Sequence, residues 1–423
     1  MSGARPAPSF DDAARFWLAL GWYNFGGPAG QIAIMQRELV ERRGWIDQSR
    51  FLHALNYCML LPGPEAMQLA TYVGWLMHGT RGAILAGCGF CAPAVLILFA
   101  LSWLYVAHGD FGPVAAVLAG FKPVVVAIVL FAVYTVGRRA LTTAAHVALA
   151  VTAFAAIQFA NVPFPVIVVA AMLVGLVFAR TVAPAAGVSS PGPAPTATRW
   201  RTVRLALIWL ALSLAPLALL AAIGAPSILE PVYVFFTKAA YVTFGGAYAV
   251  LAYVNQAAVE QFAWLTAEQA IDGFALAETT PGPLIMVVQF VGFIAGWNAP
   301  QPWPPAATAA AAALLTSYAT FIPSFFFILV GAPYLERLRG IRRLDAALGA
   351  VTAAVVGVIL SLGVVFATAV LWRPGAGGGP NAFAGVVMAL AALALWRRVG
   401  VPWIVLGGGC AGLLAYVAGW IGP

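Results

Sequence analysis

Charged residues are scarce in this chain of 423 residues. Asp, Glu, Lys and Arg make up 9% of it, against roughly 25% in soluble domains. Such a chain has too few charges to cover a water-soluble surface of its size. A hydrophobic fraction of 62% and a mean hydropathy of +0.92 indicate a polytopic membrane protein. Because the apolar runs lack the alternating polarity of barrel strands, the fold class predicted is all-α.

Cysteines and catalytic motifs are also few. The four cysteines all lie in apolar stretches, which argues against an extracellular disulfide framework. The chain has no His-Glu-x-x-His and no Gly-x-Ser-x-Gly, the motifs that would favour an intramembrane enzyme. We therefore predict no catalytic residue, no metal site and no cofactor. The polar stretch from Met1 to Asp12 lacks the apolar core of a signal peptide, so we expect a cytoplasmic N-terminus.

The net charge of +8 does not indicate a nucleic-acid partner. The basic residues lie at the ends of apolar runs, which is the positive-inside pattern of a cytoplasmic (inner) membrane protein. The expected partner is therefore the lipid bilayer, and a homodimer stays open. Nine apolar runs are long enough to cross a hydrocarbon core of about 30 Å, and with the broken segments described below they give about 9–13 membrane segments. The runs are 81–106, 112–136, 140–160, 163–179, 205–224, 304–333, 345–371, 380–396 and 401–420.

One unusual pattern occurs twice. Each copy has a Phe-Gly-Gly motif, then a Trp, then a Pro-Gly-Pro motif, and equivalent residues are 219 positions apart. The copies are Asn24-Phe25-Gly26-Gly27, Trp45 and Pro62-Gly63-Pro64, and Thr243-Phe244-Gly245-Gly246, Trp264 and Pro281-Gly282-Pro283. Further along, Pro93 pairs with Pro323 at an offset of 230. Duplicated Gly- and Pro-broken apolar units are typical of transporters built from internal repeats.

The broken segments 16–43 and 48–78 fit re-entrant hairpins better than full crossings. As one straight helix the second would be about 46 Å long, whereas two arms of about 20 Å each fit in the membrane as a hairpin. Re-entry leaves the basic residues from Arg37 to Arg50 inside, as the positive-inside rule requires. The five crossings that follow invert the second copy. If both broken segments cross fully, the inversion survives but the basic loop moves outside.

These considerations divide the chain into five parts. We expect a cytoplasmic tail (1–15), a first repeat (16–180), a flexible cytoplasmic linker (181–204), a connecting transmembrane helix (205–228) and a second, inverted repeat (229–423).

The broken helices suggest an anion site. Pro64 and Pro283 can each open a helix whose first amides have no intrahelical acceptor, and such amides attract anions. The alternative is that the breaks merely kink helices for close packing, which gives no reason for repetition at a fixed offset. The predicted substrate-binding residues are Asn24, Phe25, Gly26, Gly27, Pro62, Gly63, Pro64, Glu65, Gln68, Lys122, Thr243, Gly245, Gly246, Thr279, Thr280, Pro281, Gly282 and Pro283.

Five ionisable residues at membrane depth have alternative roles. Lys122 either attracts the anion or pairs with an internal carboxylate. Glu65 and Glu278 either stabilise helix ends or bind a coupling proton. Arg37 and Lys238 are secondary candidates for the substrate site. Arg37 is also explained by the positive-inside rule, and the Lys238 side chain can extend to the membrane–water interface.

The same motifs carry a family resemblance that covers nearly the whole chain from Phe16. The chain resembles the chromate ion transporter family in its long, two-domain form, on Asn24-Phe25-Gly26-Gly27-Pro28, on Leu61-Pro62-Gly63-Pro64-Glu65 with Gln68, and on Tyr72-Val73-Gly74. The second copy has Ala247 where the first has Pro28, so the halves are not expected to be equivalent. The resemblance implies an inner-membrane secondary transporter of chromate, with sulfate as competing oxyanion, that confers resistance by efflux. A sulfate or other small-anion carrier or channel remains the alternative.

Overall fold

The computed structural model describes residues 8–59, 61–178, 199–244, 246–331, 342–372 and 379–421. Within these ranges the chain is helical, and its only extended pairing is an isolated bridge between Trp372 and Pro380. The all-α prediction is confirmed. Five described helices are long and apolar enough to cross a membrane, and five shorter helices are apolar along their length. The protein is therefore a multi-pass membrane protein.

The first repeat contains seven helices, α4 being broken where the backbone leaves helical geometry at His78 and Gly79. We call residues 80–108 the long part of α4. The helices are α1 Phe10–Tyr23, α2 Gly27–Gln36 continued by a π-helix Arg37–Arg42, α3 Gln48–Cys58, α4 Glu65–His108, α5 Gly112–Ala140, α6 Ala144–Ala160 and α7 Phe164–Val177.

The second repeat follows a connecting helix, α8 Arg199–Ala222, and has the same order of elements. These are α9 Leu229–Val242, α10 Ala247–Asn255 continued by a π-helix Gln256–Gln261, α11 Ala267–Thr279, a 3₁₀ turn Leu284–Met286, α12 Val287–Asn298, α13 Pro305–Phe326 continued by a π-helix Phe327–Gly331, α14 Arg342–Leu371, α15 Ala382–Trp396 and α16 Val401–Val417.

The structure shows helix within two of the predicted parts of the chain. Helix α1 begins at Phe10, so residues 10–15 of the predicted tail are helical, and Ser9 caps them by accepting a hydrogen bond from the Asp12 amide. Helix α8 begins at Arg199, so residues 199–204 of the predicted linker are helical, while the rest of that linker lies outside the described residues. Both stretches continue into apolar helices without a breaker, which explains the early starts.

Four helical hairpins open the two repeats, two in each. We name them hairpin A (residues 10–42), hairpin B (48–77), hairpin A′ (229–261) and hairpin B′ (267–298). Helix α1, with 14 residues, is about 21 Å long and too short to cross a core of about 30 Å. The arms come together across the predicted breaks. The rings of Phe16 and Trp45 lie 5.3 Å apart, those of Phe235 and Trp264 lie 5.5 Å apart, and the arms of hairpins B and B′ pack on each other.

The repeats agree down to single hydrogen bonds. Both A hairpins end in a π-helix of six residues at equivalent positions. Immediately after it, the Trp45 amide donates to the Leu39 carbonyl (2.9 Å) and the Trp264 amide donates to the Ala258 carbonyl (2.8 Å). A π-helix is rare and is often found at a functional site, so its recurrence at one position in both halves is evidence of duplication.

Hairpin B′ lies along the second half of the long part of α4. Its first arm approaches the end of that helix, where the Tyr105 hydroxyl donates to Asp272 Oδ2 (3.1 Å). Its second arm returns to the same end, where the rings of Trp103 and Trp297 lie 6.0 Å apart. The turn between the arms lies against Ala94, near the middle of the helix.

Hairpin B lies at the other end of the long part of α4. A Cβ atom on Gly74 would lie only 2.4 Å from the carbonyl oxygen of Gly82, so hairpin B is close-packed there. The same hairpin contacts the end of α13, where the Tyr57 hydroxyl donates to the Phe327 carbonyl (3.0 Å). Hairpins B and B′ therefore meet opposite ends of one helix.

The remaining helices exchange partners between the repeats. Helix α5 packs against α15 and α16 of the second repeat, and its equivalent α14 packs against α6 and α7 of the first. Glycine allows these contacts, since a Cβ on Gly120 would lie 2.0 Å from the Gly408 carbonyl oxygen and one on Gly357 would lie 2.0 Å from that of Ala150. Small residues at helix contacts are the usual device for close packing in membranes.

Candidate functional site

The turns of the four hairpins meet in reciprocal pairs. The Gly282 amide of hairpin B′ donates to the Asn24 carbonyl of hairpin A, and the Gly63 amide of hairpin B donates to the Thr243 carbonyl of hairpin A′, each over 2.9 Å. Asn24 and Thr243 are repeat equivalents, as are Gly63 and Gly282. The pairs are neighbours, because α10 packs against the 3₁₀ turn that follows the second Pro-Gly-Pro. We call the turns 24–27, 62–64, 243–246 and 279–283 the crossover; Gly245 lies outside the described residues.

Glycine is required at the tip of both Pro-Gly-Pro turns. Gly63 has φ +109° and Gly282 has φ +105°, a backbone region that residues with a Cβ atom rarely adopt. Each glycine also lies against the proline-containing helix of the opposite repeat. A Cβ on Gly63 would lie 3.1 Å from Ser324 Oγ, and one on Gly282 would lie 2.6 Å from the Ala94 Cβ. The turn of each repeat is thus fitted to the other repeat.

Two glutamine side chains connect the turns. Gln31 Nε2 donates to the Gly282 carbonyl and more weakly to the Asn24 carbonyl (3.4 Å), so it connects hairpins A and B′. Gln68 Nε2 donates to the Pro62 carbonyl (2.7 Å) and towards Ser324 Oγ (3.3 Å). Sequence reasoning missed Gln31 and Ser324. An amide in an otherwise apolar membrane arm was the signal for Gln31.

Several buried polar atoms at the crossover lack a hydrogen-bond partner. Asn24 is fully buried, and neither its Nδ2 nor its Oδ1 is paired with any described residue. The Oε1 atoms of Gln31 and Gln68 are also buried and lack a partner in the described part of the chain. An unpaired buried polar atom costs about 1–3 kcal/mol, so each of these atoms calls for a partner such as ordered water or a bound ligand.

The two predicted helix starts differ from each other. Pro64 and Pro283 both adopt extended N-cap geometry instead of the first helical position, because the turn before each needs an extended exit. Helix α4 then begins at once, its first helical hydrogen bond running from the Gln68 amide to the Pro64 carbonyl (3.0 Å). The second start is a tighter 3₁₀ turn, in which the Met286 amide already donates to the Pro283 carbonyl (3.0 Å). Met286 is therefore not a free donor, which corrects the expectation of two equal helix starts.

The three threonines predicted to donate to an anion are occupied locally. The Thr279 and Thr280 hydroxyls donate to the carbonyls of Leu276 (2.7 Å) and Ala277 (2.8 Å), and the Thr243 hydroxyl donates to the Ala239 carbonyl. Threonine commonly satisfies its hydroxyl on the preceding helical turn in this way. These hydroxyls lie at the crossover but offer only acceptor lone pairs there.

The two candidate proton sites both lie near the second Phe-Gly-Gly turn. A Cβ on Gly246 would lie 3.5 Å from Glu65 Oε1, so Glu65, at the start of α4, faces hairpin A′. Glu278 is buried and accepts a hydrogen bond from the Tyr248 hydroxyl (3.4 Å). Both carboxylates are thus next to the crossover.

Lys122 lies away from the crossover. Its ammonium forms an ion pair with Glu268, and its Nζ lies 3.7 Å from Asp272 Oδ1. Asp272 precedes Thr279, the last residue of α11, by seven residues, about 10 Å along the helix. The structure therefore gives Lys122 internal carboxylate partners, the second of its two alternatives, and corrects its assignment to the anion.

Arg37 and Lys238 are both exposed on the outside of their hairpins. Arg37 lies ten residues beyond Gly27, again about 15 Å along the arm, and its Nε is 4.0 Å from the buried Glu38. Neither residue is joined to the crossover by a contact among the described residues. Of the remaining predicted residues, Phe25 and Gly27 are partly buried, Gly26 is exposed, and Pro281 is buried in its turn.

Comparison with known proteins agrees with the motifs. The sequence profile of the family described as "Chromate transporter" matches residues 12–176 and 231–413, one segment in each repeat. The chain is 32% identical to a chromate transport protein of Pseudomonas aeruginosa over 97% of its own length and 94% of the relative. It is 29% identical to a chromate transport protein of Cupriavidus metallidurans (97% and 94%) and 28% identical to a probable chromate transport protein of Synechococcus elongatus (97% and 96%). No solved structure matches the chain. The chain belongs to the chromate transporter family.

Proposed function

We propose that this protein is a secondary transporter that binds chromate at the crossover and moves it out of the cell across the cytoplasmic membrane. The observation that carries the proposal is the buried Asn24 side-chain amide. It is paired with none of the described residues, although it lies in a turn that the Gly282–Asn24 backbone hydrogen bond joins to the opposite repeat. Family membership and the names of the relatives support chromate as the substrate.

The crossover offers an oxyanion neutral donors. Asn24 Nδ2 has no acceptor among the residues that the structure describes, and the first amides of α4 after Pro64 have no intrahelical acceptor. Amides at a helix start, at the positive end of the helix dipole, are a common anion site. The alternative, that the breaks only permit close packing, leaves the unpaired amide unexplained, because an apolar side chain would fill the same space at lower cost.

The two repeats would work as an inverted pair. Hairpins B and B′ meet opposite ends of the long part of α4, and both arms of hairpin B′ return to the same end. These contacts support re-entrant hairpins that approach the membrane midplane from opposite sides. In an alternating-access cycle, such hairpins rock against one another around a fixed site and open it to one side at a time. With the positive-inside pattern, the N-terminus would then lie on the cytoplasmic side of the membrane.

The membrane potential is sufficient to drive efflux. Moving one charge through 100 mV is worth about 2.3 kcal/mol, so expelling a dianion from a negative-inside cell gains about 4.6 kcal/mol. A proton is therefore not required. If Glu65 or Glu278 does take up a proton beside the anion, the reduced repulsion favours movement of both in the same direction.

Flux measurements in proteoliposomes test this function. We expect chromate flux to follow an imposed potential in the absence of a pH gradient, to saturate with concentration and to be reduced by sulfate. Sulfate has the same shape and charge as chromate, so stronger transport of sulfate would favour the alternative of a sulfate carrier. Flux that does not saturate and shows no counter-flow would indicate a channel, and no response to potential would refute potential-driven efflux.

A further inference from the structure

A polar cavity of about 70 Å³ lies away from the crossover. It lies between α6 of the first repeat and α10 with its π-helix and α14 of the second. Since a water molecule needs roughly 10–15 Å³, the cavity has room for a small ion with some of its water. Its polar lining consists of Gln158, Asn161, Asn255, Gln256, Glu260 and Ser361.

The hydrogen bonds around this cavity leave oxygen atoms for a ligand. Ser361 Oγ donates to Gln158 Oε1 (2.7 Å), which leaves lone pairs on both oxygens. The Gln256 amide is occupied by the backbone of the α6–α7 connection and holds the wall in place. Asn255 Oδ1 is buried and has no partner among the described residues. The cavity therefore presents amide and hydroxyl oxygens together with the Glu260 carboxylate.

The residues that line the cavity favour a cation over an anion. None of the described residues that line the cavity is Lys, Arg or His, so a dianion would meet only the negative Glu260. Carboxylate, amide and hydroxyl oxygens are the ligands of hard cations. A single carboxylate balances one positive charge, and the described residues contain no cluster of three His, Cys, Asp or Glu side chains able to hold a metal ion. A monovalent ion fits this set.

We propose that this cavity binds a sodium ion and that its occupancy raises the affinity of the crossover for oxyanion. Helix α10 supports the second half of the proposal: it begins after Gly246 at the crossover and reaches the cavity at Asn255. An ion held by Asn255 and Ser361 would join this arm to α14 and restrict the movement of the Gly246 turn. The coupling rests on the function proposed above, whereas sodium binding itself does not.

The first test is calorimetric titration of the purified full-length protein with sodium, in choline buffer without oxyanion. We expect saturable binding, with the half-saturating sodium concentration raised at least about tenfold by Glu260→Gln and by Asn255→Leu, since each removes a ligand oxygen. The matched controls are Glu41→Gln and Gln36→Leu, the repeat equivalents of these positions, which should leave it unchanged. Glu260 is exposed, so Glu260→Gln keeps the test valid if Asn255→Leu fails to fold.

Three results would overturn the sodium site. These are the absence of saturable sodium binding, an equal shift in the controls, and tighter binding of potassium than of sodium.

The second test compares the affinity for chromate in sodium and in choline, and we expect tighter binding in sodium. Sodium binding with no effect on chromate affinity would overturn the coupling alone. Sodium binding by a protein that binds no chromate in either buffer would refute the proposed function and the coupling, and would leave the cation site standing.

Discussion

Replacing Gly282 by alanine tests whether the Pro-Gly-Pro turn must keep its shape. At φ +105° an alanine is strained, and its Cβ would lie 2.6 Å from the Ala94 Cβ, where ordinary contacts are 3.4–4 Å. The backbone strain is worth about 1–3 kcal/mol and the overpacking a further amount of about 1–3 kcal/mol. Both act on the turn whose amide donates to the Asn24 carbonyl.

A double variant, Gly282→Ala with Ala94→Gly, separates the cost of backbone strain from the cost of overpacking. Removal of the Ala94 methyl group relieves the contact but leaves the backbone strain, so we expect chromate binding about 5- to 150-fold weaker than in the wild type. The single variant should be weaker still, by at least about fivefold. Gly407→Ala is the control, because nothing lies within 4 Å of a Cβ at that position.

The assay is equilibrium binding of chromate to purified protein, with the amount of folded protein measured in parallel. Wild-type affinity in Gly282→Ala, or a loss equal to that in Gly407→Ala, would refute the reasoning. A variant that loses only folded protein and binds normally per folded molecule would indicate that the turn serves packing.

Three further predictions concern stability. Lys122→Met leaves the buried Asp272 beside Glu268 without its cation. We therefore expect the free energy of unfolding to fall by about 3–5 kcal/mol, and a second substitution, Asp272→Asn, to restore part of it. An unchanged melting temperature in detergent would contradict the pairing. Asp47→Ala removes the cap of α3 and should speed amide exchange in the first turn of that helix by about fivefold, from a loss of about 1 kcal/mol; unaltered exchange would contradict the cap. Hydrogen bonds from the Ser49 hydroxyl and the Arg50 amide lower the pKa of Asp47. The protection of these amides from exchange should therefore be complete above about pH 4 and be lost as the pH falls through the lowered pKa. Protection that increases on acidification would contradict this direction.

The sequence was sufficient for the elements that depend on local composition. The apolar runs predicted the long helices, and the Gly and Pro motifs predicted the turns, because length and backbone geometry are local properties. The repeat offset also predicted which residues are equivalent. The equivalence then appears as the paired bonds from Gly63 and Gly282.

The donor set of the crossover could not be predicted in the same way. Gln31 contacts Gly282 and Gln68 approaches Ser324, each across more than 250 residues of chain, and repeat spacing does not reveal contacts between the two copies. The threonine hydroxyls were expected to face the ligand, but a carbonyl one turn back satisfies each of them. For Lys122 the sequence left an anion and an internal carboxylate as alternatives, because it does not reveal that α11 brings two carboxylates to this residue.

Chromate binding by Asn24→Leu tests the central claim most directly. The Asn24 side-chain amide is paired with none of the described residues, so its replacement by an apolar side chain should leave the melting temperature unchanged or raise it. Loss of a hydrogen bond to a charged ligand costs about 1.5–3 kcal/mol, so binding should weaken about 10- to 150-fold. A folded Asn24→Leu protein that binds chromate as tightly as the wild type would contradict the account.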